Sequence, residues 1–116
     1  VHVPLERTTY HMLSVEEFNM MKNSALIINT SRGPVVDEKA LINALKSKQI
    51  FGAGLDVTEI EPIKMDNPLI NIENVILTPH FATRAYESEI NIAKFAVTNA
   101  AKVARGDKPE SIVPPV

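Results

Sequence analysis

At 116 residues the chain is long enough for one domain or part of one, and it has no cysteine, which excludes a disulfide framework and thiolate chemistry. A formal net charge of -2 gives no electrostatic reason to expect nucleic acid or a membrane surface as partner. With 45% hydrophobic and 22% charged residues and no apolar run of membrane-span length, the composition fits an ordinary folded protein of a reducing, cytoplasmic setting.

The opening Val1–Leu5 (V-H-V-P-L) predicts a strand already under way, so the chain is expected to be a piece of something longer. After polar Glu6–Thr9, the run Ser14-Val15-Glu16-Glu17 is a capping box, whose Ser and Glu satisfy orphan N–H groups at a helix start. Leu13 and Phe18 are spaced as a hydrophobic staple, and the helix is expected to reach about Lys22, where Asn23 breaks it. Ala25–Asn29 (A-L-I-I-N) is a continuous apolar run of strand length. Asp37 is placed to cap a helix through Lys48, with Ala40, Leu41, Ala44 and Leu45 at helical spacing.

Ile50–Val57 is the third apolar run, and Thr58–Pro68, rich in proline and acidic residues, must be loop. Asn74–Thr78 (N-V-I-L-T) is the fourth, stopped by Pro79. A long helix is predicted from about Arg84 to Arg105, with Ile90, Ala93, Val97, Ala100 and Ala104 on one stripe. Lys102 and Arg105 suit its C-terminal dipole, and Gly106 can take the left-handed cap. Pro109, Pro114 and Pro115 describe an extended tail.

Strands that are apolar throughout, rather than alternating, imply burial on both faces, and helical connections between them imply a parallel sheet. The expected fold is therefore α/β, a doubly wound parallel sheet of about four strands with helices on both faces. Ligands in such sheets sit at the carboxyl ends of the strands. Those ends are Pro4-Leu5, Thr30-Ser31-Arg32-Gly33, Asp56-Val57 and Pro79-His80.

Arg32 follows a buried strand, with Gly33 and Pro34 turning the chain after it. A guanidinium there can hold a carboxylate through two parallel hydrogen bonds, or can be a loop arginine paired with a surface acid. His80, stiffened by Pro79, is a candidate proton donor or acceptor, or a structural cap on the following helix. A carboxylate beside it would orient its ring, and both Glu59 and Glu61 could serve; spacing does not choose between them. His2 lies within the first strand, His11 lies in a polar connection, and Asp66 is a turn residue before Asn67-Pro68. Gly52-Ala53-Gly54 is no phosphate loop, because it lies inside an apolar run instead of opening a helix. Its glycines predict close backbone approach within the sheet.

The blocks H-V-P-L-E-R-T-T, M-K-N-S-A-L-I-I-N-T-S-R-G-P-V-V-D-E-K-A-L, A-G-L-D-V…E-P with its following N-P-L, and N-V-I-L-T-P-H resemble, in this order and spacing, the D-isomer-specific 2-hydroxyacid dehydrogenase family. The resemblance implies a Rossmann-like fold and hydride transfer between NAD, or NADP, and a small 2-keto or 2-hydroxy acid. It implies Arg32 as the substrate-carboxylate arginine, His80 as the acid/base, and Glu61, directly before Pro62, as its carboxylate partner in place of Glu59. It further implies cofactor contacts at Val3, Pro4, Thr9, Thr30, Ser31, Arg32, Asp56, His80, Phe81 and Ala82, with no metal. Two departures are Thr58, where an aromatic residue is usual, and Ala85, where many members have threonine.

By the same resemblance, residues 1–106 are the C-terminal part of a nucleotide-binding domain. Residues 107–116 lead back toward a substrate domain outside this chain. The glycine fingerprint and the residue selecting NAD over NADP belong to a first βαβ unit that these residues do not contain. The full-length parent is expected to be a homodimer, and the isolated 116-residue chain to be inactive. The other readings are a non-catalytic NAD-sensing module of corepressor type and a truncated domain of structural value.

Overall fold

The computed structural model describes residues 1–112; the tail prolines Pro114 and Pro115 lie outside the described residues. The chain falls into two units, Val1–Phe81 and a second that begins at Ala82.

The first unit is built on a parallel sheet in the order β1 (Leu26–Asn29), β2 (Gly52–Leu55), β3 (Val75–Leu77). Helix α1 (Val15–Met20) precedes β1, and α2 (Glu38–Lys46) connects β1 to β2. The register pairs Asn29 with Leu55 and Leu55 with Leu77, so all three strands end at one edge of the sheet. That common edge is what gathers the candidate residues.

Both helix starts follow from the sequence. The Glu17 carboxylate accepts the Ser14 N–H at 2.9 Å, and the Asp37 carboxylate accepts the Ala40 N–H at 3.0 Å, each satisfying an orphan donor. The helices are slightly shorter than the spacing predicts. Met21 is already extended beyond α1, and Ser47 caps α2.

The core lies on one face of the sheet. Ile27, Ala53 and Leu55 pack there with Phe18 from α1, Leu41 and Leu45 from α2, and Leu69 from a 3-10 turn at Pro68–Asn71. Burying a side chain such as Leu41 or Phe18 stabilises the fold by about 1.5–3 kcal/mol.

Two strand expectations are corrected. Val1–Leu5 forms no ladder; its terminal amino group donates to the Ile28 carbonyl at 2.6 Å, and Pro4 has no N–H to offer a neighbour. Burial on both strand faces is seen in β2, of which only Gly54 is partly exposed, but not in β1. Leu26 and Ile28 are each 60% exposed, so β1 alternates in burial although its sequence does not.

The Gly-Ala-Gly expectation divides. A Cβ at Gly52 would stand 2.6 Å from the Asn74 carbonyl oxygen, whereas one at Gly54 would meet only Ile28, at 3.9 Å. Close approach is needed at the first glycine alone.

In the second unit α3 (Tyr86–Ala104) is closed by Arg105 and by Gly106 at φ 82°, the left-handed residue that the sequence predicts. None of its side chains is buried, including the Ile90–Ala104 stripe. The tail after it is tied back by Lys102 to Glu110 at 2.7 Å and by the Glu110 N–H to Asn99 at 2.6 Å. Among the described residues no helix is long and apolar enough to cross a membrane.

Candidate active site

The turn after β1 is organised by a residue that the sequence reading passed over. Asn29 is 1% exposed, and its amide donates to the Arg32 carbonyl at 2.9 Å. Its side-chain oxygen accepts from the Ser31 N–H at 3.0 Å and the Ser31 hydroxyl at 2.9 Å. A buried amide so satisfied fixes the turn. The available signal was a polar residue closing an otherwise apolar strand. Arg32 itself is exposed, with Nη1 donating to the Ser31 carbonyl at 2.7 Å.

Asp56, at the end of β2, is 5% exposed. Its carbonyl accepts the His80 N–H at 2.9 Å. Its carboxylate accepts the Phe81 N–H at 2.8 Å and the Thr78 hydroxyl. One buried residue thus holds the T-P-H turn at both ends, through the Thr78 side chain at its start and the main chain of His80 and Phe81 at its close. His80 stands at φ 58°, a left-handed conformation uncommon for residues other than glycine and enriched at functional sites.

The His80 ring meets Glu61 at 2.8 Å between Nδ1 and Oε2, while the other Glu61 oxygen accepts the Thr58 N–H at 3.1 Å. Nδ1 is therefore occupied, and Nε2 makes no hydrogen bond with the described residues. Asp56, Thr58, Glu61, Ile63, Thr78 and His80 share a cavity of about 320 Å³. A ring held by a carboxylate at one nitrogen and open at the other can pass a proton to a bound group.

Val3, Pro4, Leu5, Ser31 and Arg32 line a second cavity of about 310 Å³. Its apolar wall with a hydroxyl and a guanidinium beside it suits a flat heteroaromatic ring with a polar edge, so these residues fit a nicotinamide. The structure therefore joins Asp56, Glu61 and His80 in one cavity, and Val3, Pro4, Ser31 and Arg32 in another. Thr30 is exposed at the end of β1, and Phe81 is 52% exposed. The Thr9 hydroxyl is spent on its own turn, donating to the Pro4 carbonyl at 2.6 Å and accepting the Glu6 N–H at 2.8 Å. Ala82 opens the second unit.

Glu59, the competitor of Glu61, contacts a different histidine: Oε1 lies 2.7 Å from His11 Nε2. With Asp37 these residues offer ligand atoms within 4.8 Å of one another, and the group is knit by hydrogen bonds. The Asp37 oxygens take the Ala40 N–H and the Ser14 hydroxyl. The Ala40 N–H holds the Asp37 carboxyl below its usual range, against a burial that acts upward, with Ser14 and His11 adding to the lowering.

Comparison with known proteins places the chain in a family. Residues 1–82 match the model of the D-isomer specific 2-hydroxyacid dehydrogenase, NAD binding domain; the chain belongs to this family. It is 48% identical over 113 residues to a glyoxylate reductase of Korarchaeum cryptofilum, covering 97% of this chain and 34% of that protein. It is 46% identical over 115 residues to a glyoxylate/hydroxypyruvate reductase B of Cronobacter sakazakii, covering 99% and 36%. Among solved structures, the D-lactate dehydrogenase with NAD+ from Lactobacillus jensenii superposes with a TM-score of 0.88 at 33% identity, covering 98% of this chain and 38% of that one. The chain thus spans about a third of the length of the curated relatives that it matches.

Proposed function

We propose that this chain supplies the catalytic residues of an NAD- or NADP-dependent oxidoreductase that interconverts a small 2-keto acid and its D-2-hydroxy acid. The observation that carries the reading is the His80–Glu61 contact of 2.8 Å in the strand-end cavity, with Nε2 left to face a ligand. Family membership and the names of the relatives support the substrate class.

In this mechanism Glu61 holds the imidazole by Nδ1, and His80 gives a proton from Nε2 to the oxygen formed at C2 of the keto acid. Arg32 binds the substrate carboxylate, its turn fixed by Asn29, and so orients the carbonyl. Val3, Pro4, Thr30, Ser31, Asp56, Phe81 and Ala82 would hold the dinucleotide, with Thr9 shaping the turn beneath it. A bound nicotinamide supplies the hydride. Residues 1–106 are, on this reading, part of the nucleotide-binding domain, and the tail leads to a substrate domain. The full-length parent acts as a cytoplasmic homodimer.

The test is oxidation of NADH and NADPH by the full-length parent with glyoxylate, hydroxypyruvate, pyruvate and bulkier 2-keto acids. Turnover that disappears in His80→Ala is the expected result. Unchanged turnover in that variant overturns the mechanism, and dinucleotide binding without turnover on any acid favours a sensing module.

A further inference from the structure

Glu59 and Glu61 share one loop, yet their carboxylates serve different ends of it. Glu59 Oε1 lies 2.7 Å from His11 Nε2 and accepts the Glu38 N–H at 3.0 Å. Its own N–H donates to Glu38 Oε2 at 3.0 Å, and the second Glu38 oxygen accepts from the Asn67 amide at 2.7 Å. His11 is anchored in turn, since its N–H donates to the Pro34 carbonyl at 2.8 Å. These bonds join His11, the Pro34–Glu38 segment after Arg32, the loop before Glu61, and Asn67.

The same loop is gripped one residue earlier. A Cβ on Gly33 would lie 1.9 Å from the Thr58 carbonyl oxygen, so the Thr58 main chain rests directly on the residue that follows Arg32. Thr58 then gives its N–H to Glu61, which meets His80. A continuous set of contacts runs from the arginine turn to the histidine ring.

We propose that His11 and Glu59 are positioning residues. They fix the Thr58–Glu61 loop against the turn that carries Arg32, and so fix the direction of the His80 imidazole relative to the guanidinium. The inference rests on the roles proposed above for Arg32 and His80. Two groups on different strand ends must act on one small acid, and neither cavity wall alone sets their relation. A polar bracket between the two loops supplies that relation, because productive geometry has to be held within about 0.5 Å.

The test uses the full-length protein, with steady-state kinetics on glyoxylate or hydroxypyruvate, whichever is turned over faster. Glu59→Ala is expected to lower kcat about 30- to 100-fold while KM moves less than about threefold, since misplacement near 1 Å acts on orientation more than on affinity. Glu59→Gln keeps an acceptor for the Glu38 N–H and for His11, and should restore kcat to within about threefold of the parent. Adding His11→Ala to Glu59→Ala should lower kcat no further, because both act through one bracket.

A Glu59→Ala protein with parental kcat overturns the inference, as does a loss that vanishes when rates are normalised to folded protein, or losses that multiply in the double variant. If Glu59→Ala does not fold, His11→Ala decides: an expected loss of about tenfold in kcat at steady KM supports the bracket, and none overturns it. His80→Asn keeps the two ideas apart. Turnover surviving in His80→Asn sinks the site reading, whereas turnover lost there but kept in Glu59→Ala sinks only the positioning role.

Discussion

Two histidine–glutamate contacts of nearly equal length stand two residues apart on one loop, 2.7 Å for His11–Glu59 and 2.8 Å for His80–Glu61. Their surroundings differ. His11 is stacked on Tyr10 with ring centroids 4.0 Å apart, and its Nδ1 is 4.0 Å from an Asp37 oxygen. Glu59 accepts a helix N–H besides the ring. Side-chain exposures are 30% and 29% in that pair, against 48% and 38% in the His80–Glu61 pair, so the second is the more open of the two. A short imidazole–carboxylate distance is common to both pairs. What sets them apart is the remaining ring nitrogen, which lies near an Asp37 oxygen in His11 and has no hydrogen-bond partner among the described residues in His80.

The sharpest way to break this comparison is to remove each histidine separately. On the proposed function, His80→Asn in the full-length parent keeps a residue tolerant of the left-handed backbone and should cost kcat roughly 100- to 10,000-fold through loss of the proton donor. Under the bracket described above, His11→Ala costs about tenfold. Equal losses in steady-state assays would mean that the two pairs are not different in kind.

Arg32→Lys is the next largest expected effect. On the proposed function, a lysine keeps the charge but not the planar fork, so KM for the keto acid should rise by about tenfold with dinucleotide affinity little changed. Substrate titration and fluorescence binding of NADH check the two halves.

Smaller effects fall on stability. Gly33→Ala drives a methyl into the Thr58 carbonyl and should destabilise the fold by about 1–3 kcal/mol, read from the urea midpoint. An unchanged midpoint would mean that the loop shifts freely, and the bracket would lose its footing.

Asp37→Ala removes the α2 cap and should cost about 1 kcal/mol at neutral pH. Because the Ala40 N–H holds the folded Asp37 carboxyl below the ordinary aspartate range, its contribution is present above the unfolded value and is lost as pH falls through the folded one. The gap between parent and variant should therefore narrow when denaturation is repeated in acid.

The sequence made some of this architecture readable and hid the rest for physical reasons. Ala25–Asn29 and the Asp37 cap are local signals, and β1 and α2 appear where they predict. Val1–Leu5 has strand composition, but a strand exists only through its partner, and the one bond from Val1 to Ile28 makes no ladder. Leu26 and Ile28 are as apolar as Ile27, so no alternation warned that one face of β1 is exposed. The choice of Glu61 over Glu59 came from resemblance, since the alternative His11–Glu59 contact spans 48 positions of sequence. The clustering of polar residues at strand ends was readable, because parallel register aligns those ends. The reciprocal Glu38–Glu59 bonds were not, since they depend on how two loops meet.

The left-handed backbone of His80 limits what this position can become. At φ 58° most side chains incur about 1–2 kcal/mol from the clash of Cβ with the carbonyl, while asparagine, aspartate, histidine and glycine are accepted more readily. Of those four only histidine exchanges a proton near neutrality with its ordinary affinity. The turn that Asp56 imposes on the main chain thus acts as a filter on heredity. If His80 carries the proton as proposed, the substitutions that the backbone accepts best tend to lose it, and a different acid or base would first have to rebuild the turn.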